Sequence, residues 1–246
     1  MWRQFLSGTK QRLPRLPDRL RIYAIGDVHG RADLLDQVLA RIDADLAVYP
    51  DCRPLQVFLG DYIDRGPSSQ AVIDRLIKRA RTHEIVCLKG NHETYVFEFL
   101  RNPAILADWR QLGGIETLMS YGLKPSMRAG IAEQLELAKA LAASLPKQHR
   151  QFLLNLSNSF ACGDFFFVHA GVKPGIPLEQ QREEDLLWIR DDFLLFEDSF
   201  GKIVVHGHTP VREPDIRLNR INIDTGAYAT GRLTCLIIEN GGFFVL

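Results

Sequence analysis

The chain has 246 residues, of which 46% are hydrophobic and 24% charged, with 30 basic residues balancing 30 acidic ones. This is the composition of a globular domain long enough to bury a sizeable core. The cancelled charge excludes a global field that would recruit nucleic acid or an anionic membrane, so neither is expected as a partner, and a phosphate-handling site needs positive charge placed locally.

Residues 1–20 carry Arg3, Lys10, Arg12, Arg15 and Arg19 against Asp18, and they lack the apolar run of a secretory signal. Pro14 and Pro17 oppose a long helix, so the segment reads as a basic, solvated arm before a domain spanning 21–246. Next come three strand-length apolar runs, "RIYAIGD", "LQVFLGD" and "EIVCLKGN", separated by helical patterns. In the first helix Leu34, Leu35, Val38, Leu39, Ile42 and Leu46 form one stripe. In the second, Val72, Ile73, Leu76 and Ile77 do the same, with Ser68 or Ser69 as the expected cap. The β-α-β-α-β order predicts parallel strands.

Residues 94–160 read as a helical insertion punctuated by Gly113–Gly114 and Pro125. It is expected to overhang the site or to serve as core packing. From residue 165 strands return in "FFFVHAG", "KIVVHGH", "RINIDTG" and "LTCLIIE", and their close spacing after residue 220 suggests antiparallel pairing. The four cysteines, Cys52, Cys87, Cys162 and Cys235, form no C-x-x-C pair. They are expected as reduced thiols in a cytoplasmic setting.

Polar residues gather at the carboxyl ends of these runs: Asp27 and His29, Asp61, Asp64 and Arg65, Asn91, His92 and Glu93, His169, His206 and His208, and Asp224. Strand carboxyl ends are where α/β sheets place ligand sites. So many convergent polar groups are costly to bury without cations. The mixed nitrogen and oxygen donors, with no thiolate, suit manganese, iron or zinc better than calcium.

"GDVHG", "GDYIDRG", "GNHE", "HAG" and "GHTP", in this order, resemble the metallophosphoesterase superfamily, and within it the compact bacterial and phage-type branch of the phosphoprotein phosphatases. The resemblance implies an α/β calcineurin-like fold: a central β-sandwich of two mixed sheets flanked by helices, with a helical insertion. It implies two divalent metal ions, manganese foremost, with iron or zinc as substitutes. Asp27 and His29 would bind the first metal, Asp61 would bridge, and Asn91, His169 and His208 would complete the second site. His92 resembles the family's general acid and Asp64 its orienting partner. Arg65 and Arg190 resemble the phosphate-binding arginines, with Asn91 and Lys89 also facing substrate. Lys89 departs from the arginine that many relatives place before "GNHE", which keeps the charge and loses the bidentate fork. His206 is expected to hydrogen-bond behind the ligands or simply to pack, with a ligand role as the alternative, since a strand continuing through Gly207 would face both histidines the same way. Asp224 is expected to support a ligand histidine or cap a turn, and Tyr228 to line the site. His83 and His149, outside every motif, are expected at the surface.

The expected activity is hydrolysis of phosphoserine and phosphothreonine, or of small phosphoesters, by a metal-activated water. The alternative is a bis(5'-nucleosyl)-tetraphosphatase. Members of that branch often lack the second aspartate of the "GDxxDRG" block and carry "GNHD", whereas Asp64 and Glu93 are both present here. A catalytically dead binding module is disfavoured because every expected ligand position is filled.

Overall fold

The structure, a computed structural model, describes residues 14–246. All seven apolar runs form strands: β1 (Leu20–Ile25), β2 (Arg53–Phe58), β3 (Ile85–Cys87), β5 (Phe165–Val168), β6 (Ile203–His206), β8 (Arg220–Asn222) and β9 (Cys235–Glu239). Three more, β4 (Ser159–Cys162), β7 (Asp215–Ile216) and β10 (Gly242–Val245), lie at sheet edges. They build two five-stranded sheets, ordered β10-β9-β1-β2-β3 and β4-β5-β6-β8-β7.

In the first sheet β1, β2 and β3 run parallel. The helices α1 (Ala32–Val48) and α2 (Ser69–Arg79) make the crossovers. Alternation along each strand divides two cores. Ile22, Ala24, Val57, Leu236 and Ile238 point between the sheets, where they meet Phe165, Phe167, Val205 and Ile221. Tyr23, Ile25, Phe58 and Ile237 point the other way, onto α1, α2 and the insertion. Each such aliphatic or aromatic side chain contributes about 1.5–3 kcal/mol by leaving water.

The antiparallel pairing expected after residue 220 holds for β9 with β10 and with β1. It holds on one side only of β8, which crosses to the second sheet and lies antiparallel to β7 but parallel to β6. Ile221 there fills the space between the sheets, a packing demand that overrides closeness in sequence.

The insertion comprises α3 (Asn91–Arg101), α4 (Leu106–Gln111), α5 (Gly114–Ser120), α6 (Ile131–Ser144) and α7 (Lys147–Leu154). Trp109, Leu118, Leu141 and Leu153 share one core with α1 and α2. His149 is fully buried, against the surface position expected for it. It lies four residues before Leu153 on the inward face of α7. There its ring bonds the Tyr121 hydroxyl and Asp74 Oδ1, each at 2.9 Å. His83 remains partly exposed, bonded to Thr82 Oγ1. Neither serine caps α2 through its side chain. Ser69 is buried and its Oγ accepts the Asp64 N–H.

The packed part of the chain begins before residue 21. Leu16 and Leu20 are buried in the inter-sheet core, and the N–H groups of Arg15 and Leu16 bond Asp164 and Asn240. Residues 1–13 of the basic arm lie outside the described residues. All four cysteines are free thiols. Among the described residues no helix is long and apolar enough to cross a membrane.

Candidate metal centre

The carboxyl ends of β1, β2, β3, β5 and β6 meet at one rim, and the polar motifs lie just beyond them. His29, Asp61, Asp64, Arg65 and His208 have φ between 44° and 68°. These are five of the six non-glycine residues with positive φ among the described residues, the sixth being Arg19. Such conformations cost of order 1–3 kcal/mol each and persist where the surroundings impose them, so the backbone strain is concentrated at this rim.

Asp61 stands at the middle. Its Oδ2 lies 3.4 Å from His29 Nε2 and 3.7 Å from His92 Nε2. Its Oδ1 lies 3.4 Å from His169 Nε2 and accepts the His92 N–H at 3.2 Å. Oδ2 therefore faces His29 and Oδ1 faces His169, with His92 touching both. His29, Asp61 and His92 form one set of converging ligand atoms; Asp61, His169 and His208 form another. Asn91 Oδ1 joins the second set, 2.9 Å from His169 Nε2 and 3.0 Å from His208 Nδ1.

The inward nitrogens are fixed from behind. His29 Nδ1 bonds the Ile63 carbonyl and His169 Nδ1 the Leu59 carbonyl, both at 2.9 Å. This is how metal-ligating imidazoles are usually oriented. Burial holds the His29 pKa down to about 3 and lowers those of His169 and His208, leaving neutral rings with free lone pairs. Asp61 is pulled well below the usual carboxylate range. Burial alone would raise it, but the imidazoles around it prevail.

Asp27 is 2% exposed. Its Oδ2 accepts the His208 N–H at 3.0 Å, while its Oδ1 has no hydrogen-bond partner, nor has His208 Nε2. Burial, then the charges of Asp224 and Asp61, push its pKa up, as expected for a carboxylate awaiting a cation. A Cβ on Gly207 would overlap Asp27 Oδ1, so only glycine lets the "GHTP" turn approach it. The donors are imidazole, carboxylate and amide, a set that fits divalent cations.

Beside the first set, His92 Nδ1 lies 2.7 Å from Asp64 Oδ2. Burial favours a neutral ring, but the Asp61 charge and the Asp64 hydrogen bond outweigh it, and the His92 pKa is raised.

Residues 20–233 match the family model described as calcineurin-like phosphoesterase. The chain belongs to this family. It is similar to a bis(5'-nucleosyl)-tetraphosphatase PrpE [asymmetrical] of Anoxybacillus flavithermus, 27% identical over 239 residues, covering 86% of this chain and 88% of that one. The protein of the same name from Bacillus anthracis is 28% identical over 235 residues with the same coverage. Among solved structures, a provisionally assigned diadenosine tetraphosphatase matches with a TM-score of 0.63 and 19% identity, covering 96% of this chain and 98% of that one. A protein serine/threonine phosphatase of Saccharomyces cerevisiae matches at 0.53 and 14% identity, covering 91% and 74%. These structural likenesses show the fold, and this fold carries more than one substrate class.

Around the calcineurin-like centre, the cationic residues take different positions. Arg65 reaches His92 Nε2 at 3.4 Å and lies over the Tyr228 ring. Arg190 bonds Thr209 Oγ1 beside His208. Lys89 pairs with Glu183 at 2.8 Å, so its charge is engaged by the rim of α8 (Glu183–Trp188). Tyr228 stands edge-on to His29 and Trp188 edge-on to His208, both half-exposed. His206 packs edge-on against Phe193 and belongs to neither ligand set. Asp224 accepts the Gly226 N–H, a turn cap in place of the histidine support expected as one of its roles.

Two contributors, Trp109 and Thr117, carried no sequence signal of their own, and a third, Glu93 of "GNHE", was given no structural role by its motif. Glu93 accepts the N–H groups of Asp61, Tyr62 and Gly90, clasping two motifs together, with burial raising its pKa to about 8. Trp109 and Thr117 of the insertion both bond Asp64.

Proposed function

We propose that the chain is a metal-dependent hydrolase of dinucleoside polyphosphates, cutting a bis(5'-nucleosyl) tetraphosphate asymmetrically into a nucleoside monophosphate and a nucleoside triphosphate. The observation that carries this reading is the match, over 86% of the chain, to relatives named for that activity. The two half-exposed rings support it, since Tyr228 and Trp188 offer aromatic faces to nucleobases at either side of the ligand sets.

In this reading Asp27, His29 and Asp61 hold one divalent cation, and Asp61, Asn91, His169 and His208 the other, with manganese as the favoured metal. Bound there, the cations supply Lewis-acid polarisation of the phosphoryl oxygens and lower the pKa of a water. Arg65 and Arg190 meet phosphate oxygens through their guanidinium forks. A water would give up one proton to solvent and add to phosphorus as hydroxide, the bridging P–O bond would break, and the departing oxygen would receive a proton from Nε2 of the protonated His92 ring, which solvent then reprotonates. Asp64 keeps the Nδ1 side of that ring in place.

A second reading, hydrolysis of phosphoserine or phosphothreonine, is favoured by the intact His92–Asp64 pair. A serine alkoxide needs a proton more than a polyphosphate leaving group does. The test compares kcat/KM for diadenosine tetraphosphate, a phosphoserine peptide and p-nitrophenyl phosphate with manganese, then with chelator. The tetraphosphate is expected to lead and chelator to abolish turnover. Preference for the phosphopeptide would overturn the first reading, and activity that survives chelation would overturn both.

A further inference from the structure

The helical insertion does more than fill the core, because two of its side chains end on Asp64. Trp109 is fully buried on α4, and its Nε1–H donates to Asp64 Oδ2 at 2.9 Å. The Thr117 hydroxyl of α5 donates to Asp64 Oδ1 at 2.5 Å, while its oxygen accepts the Asp64 N–H at 2.9 Å. Ser69 Oγ, 3.0 Å from Thr117 Oγ1, also takes that N–H. An indole N–H can only donate. Asp64 Oδ2 must therefore act as acceptor towards Trp109, and the same oxygen faces His92 Nδ1 at 2.7 Å. A hydrogen on Nδ1 completes that contact, and Nε2 is left pointing to Asp61 and Arg65.

The Gly113–Gly114 pair makes the arrangement accessible. A Cβ at 114 would enter the Trp109 ring. Gly113, at φ +89°, passes so close to Arg65 that a Cβ would stand 2.5 Å from its nitrogen. The insertion is thus seated against both Asp64 and the residue that follows it.

We infer that Trp109 and Thr117 are positioning residues, which act through Asp64 to fix the tautomer and the aim of the His92 ring. This rests on the reading of His92 as proton donor, which both substrate classes share.

The test uses the full chain labelled with ¹⁵N-histidine. The Nδ1–H resonance of His92, identified by its loss in His92→Ala, is expected to be resolved and slow to exchange in the wild type. In Trp109→Phe, which keeps a ring and removes the donor, that proton should exchange at least about tenfold faster. Thr117→Val, nearly isosteric, should do the same should the tryptophan variant fold poorly. Turnover is measured alongside, on whichever of diadenosine tetraphosphate and p-nitrophenyl phosphate the wild type cleaves faster. Trp109→Phe should lower kcat by roughly tenfold with KM unchanged, a part of the about 10²–10⁴ that a general acid supplies. In the His92→Ala background it should cost nothing further. An Nδ1–H signal that exchanges as in the wild type in both variants overturns the inference. So does a kcat loss of equal size with and without His92. Wild-type turnover in His92→Ala would instead overturn the proton-donor reading, while the resonance still reports whether the ring is held.

Discussion

Gly113 and Gly122 have nearly the same backbone conformation, φ +89° and +84°, in very different surroundings. A Cβ at 122 would meet open space, whereas at 113 it would press on the nitrogen, Cα and Cγ of Arg65 at 2.5–2.9 Å. Placing an L-residue in the left-handed region costs roughly 1–2 kcal/mol at either site. At 113 the overlap adds about 1–3 kcal/mol. The bond from the Arg65 N–H to the Gly113 carbonyl, 3.1 Å long, would also be stretched, at about 1 kcal/mol. Gly122→Ala should thus cost about 1.5 kcal/mol and Gly113→Ala about 4 kcal/mol. At about 3 °C per kcal/mol for a chain of this size, the falls in Tm are about 5 °C and about 12 °C. Circular-dichroism melts of the two variants beside the wild type measure the difference. Equal falls would refute the argument, because the shared φ would then account for everything and the contact with Arg65 for nothing. Activity gives a second reading: only Gly113→Ala should raise KM for a phosphate substrate, since only it moves Arg65.

Asp61→Asn keeps the shape of the bridging side chain and removes its charge, so plasma emission spectroscopy should find at least one of the two cations lost; full retention of both would refute the bridging role. Trp188→Ala should raise KM for diadenosine tetraphosphate by about tenfold, the value of about 1–3 kcal/mol for a stacked base, and leave p-nitrophenyl phosphate unchanged; parallel losses on both substrates would remove its claim as a base platform. His206 has a pKa lowered by burial to about 3, against 6.5 in the unfolded chain, so its stability contribution is complete above pH 6.5 and is lost as pH falls towards 3, by about 1.4 kcal/mol per pH unit. His206→Phe should flatten urea-measured stability between pH 6 and 4 by that amount, and an unchanged slope would show that the proton goes elsewhere.

The strands were legible because each is a short run of β-branched and aromatic residues ended by glycine and a polar group. Their division between sheets was not, since β8 is placed by Ile221 in the inter-sheet core and by its pairing with β6. The residues that converge at the rim were legible because they lie in five short motifs, each bound to a strand end. Trp109 and Thr117 were not, because they reach Asp64 across 45 and 53 residues, and a tryptophan or threonine in an amphipathic helix looks like core. His149 was misplaced for a related reason. Its partners, Asp74 on α2 and Tyr121 just after α5, are far away in sequence, and a lone histidine in the polar run "KQHR" reads as surface. Substrate class was the least legible of all. The Asp64 and Glu93 positions tilt the sequence towards a protein phosphatase, whereas the relatives that the chain matches along most of its length are named as tetraphosphatases.

The site's parts are not independent, because one loop supplies or touches several of them. Between Leu59 and Arg65 the chain contributes the carbonyl that orients His169, Asp61 which belongs to both converging sets, the carbonyl that orients His29, the partner of His92, and Arg65 itself. Asp61, Asp64 and Arg65 all have positive φ, so the loop cannot hold this course by its own preferences. It is held from outside at three points. Glu93 takes the N–H groups of Asp61 and Tyr62, the insertion takes both oxygens and the N–H of Asp64, and Gly113 takes the N–H of Arg65. Two of these holds belong to the segment between residues 94 and 160, which carries no ligand of its own. A substitution there that shifts the loop by a few tenths of an ångström would disturb both ligand sets and the proton donor together. Metal affinity and turnover should therefore fall in step along such a series, whereas substitutions in the ligands themselves would separate them.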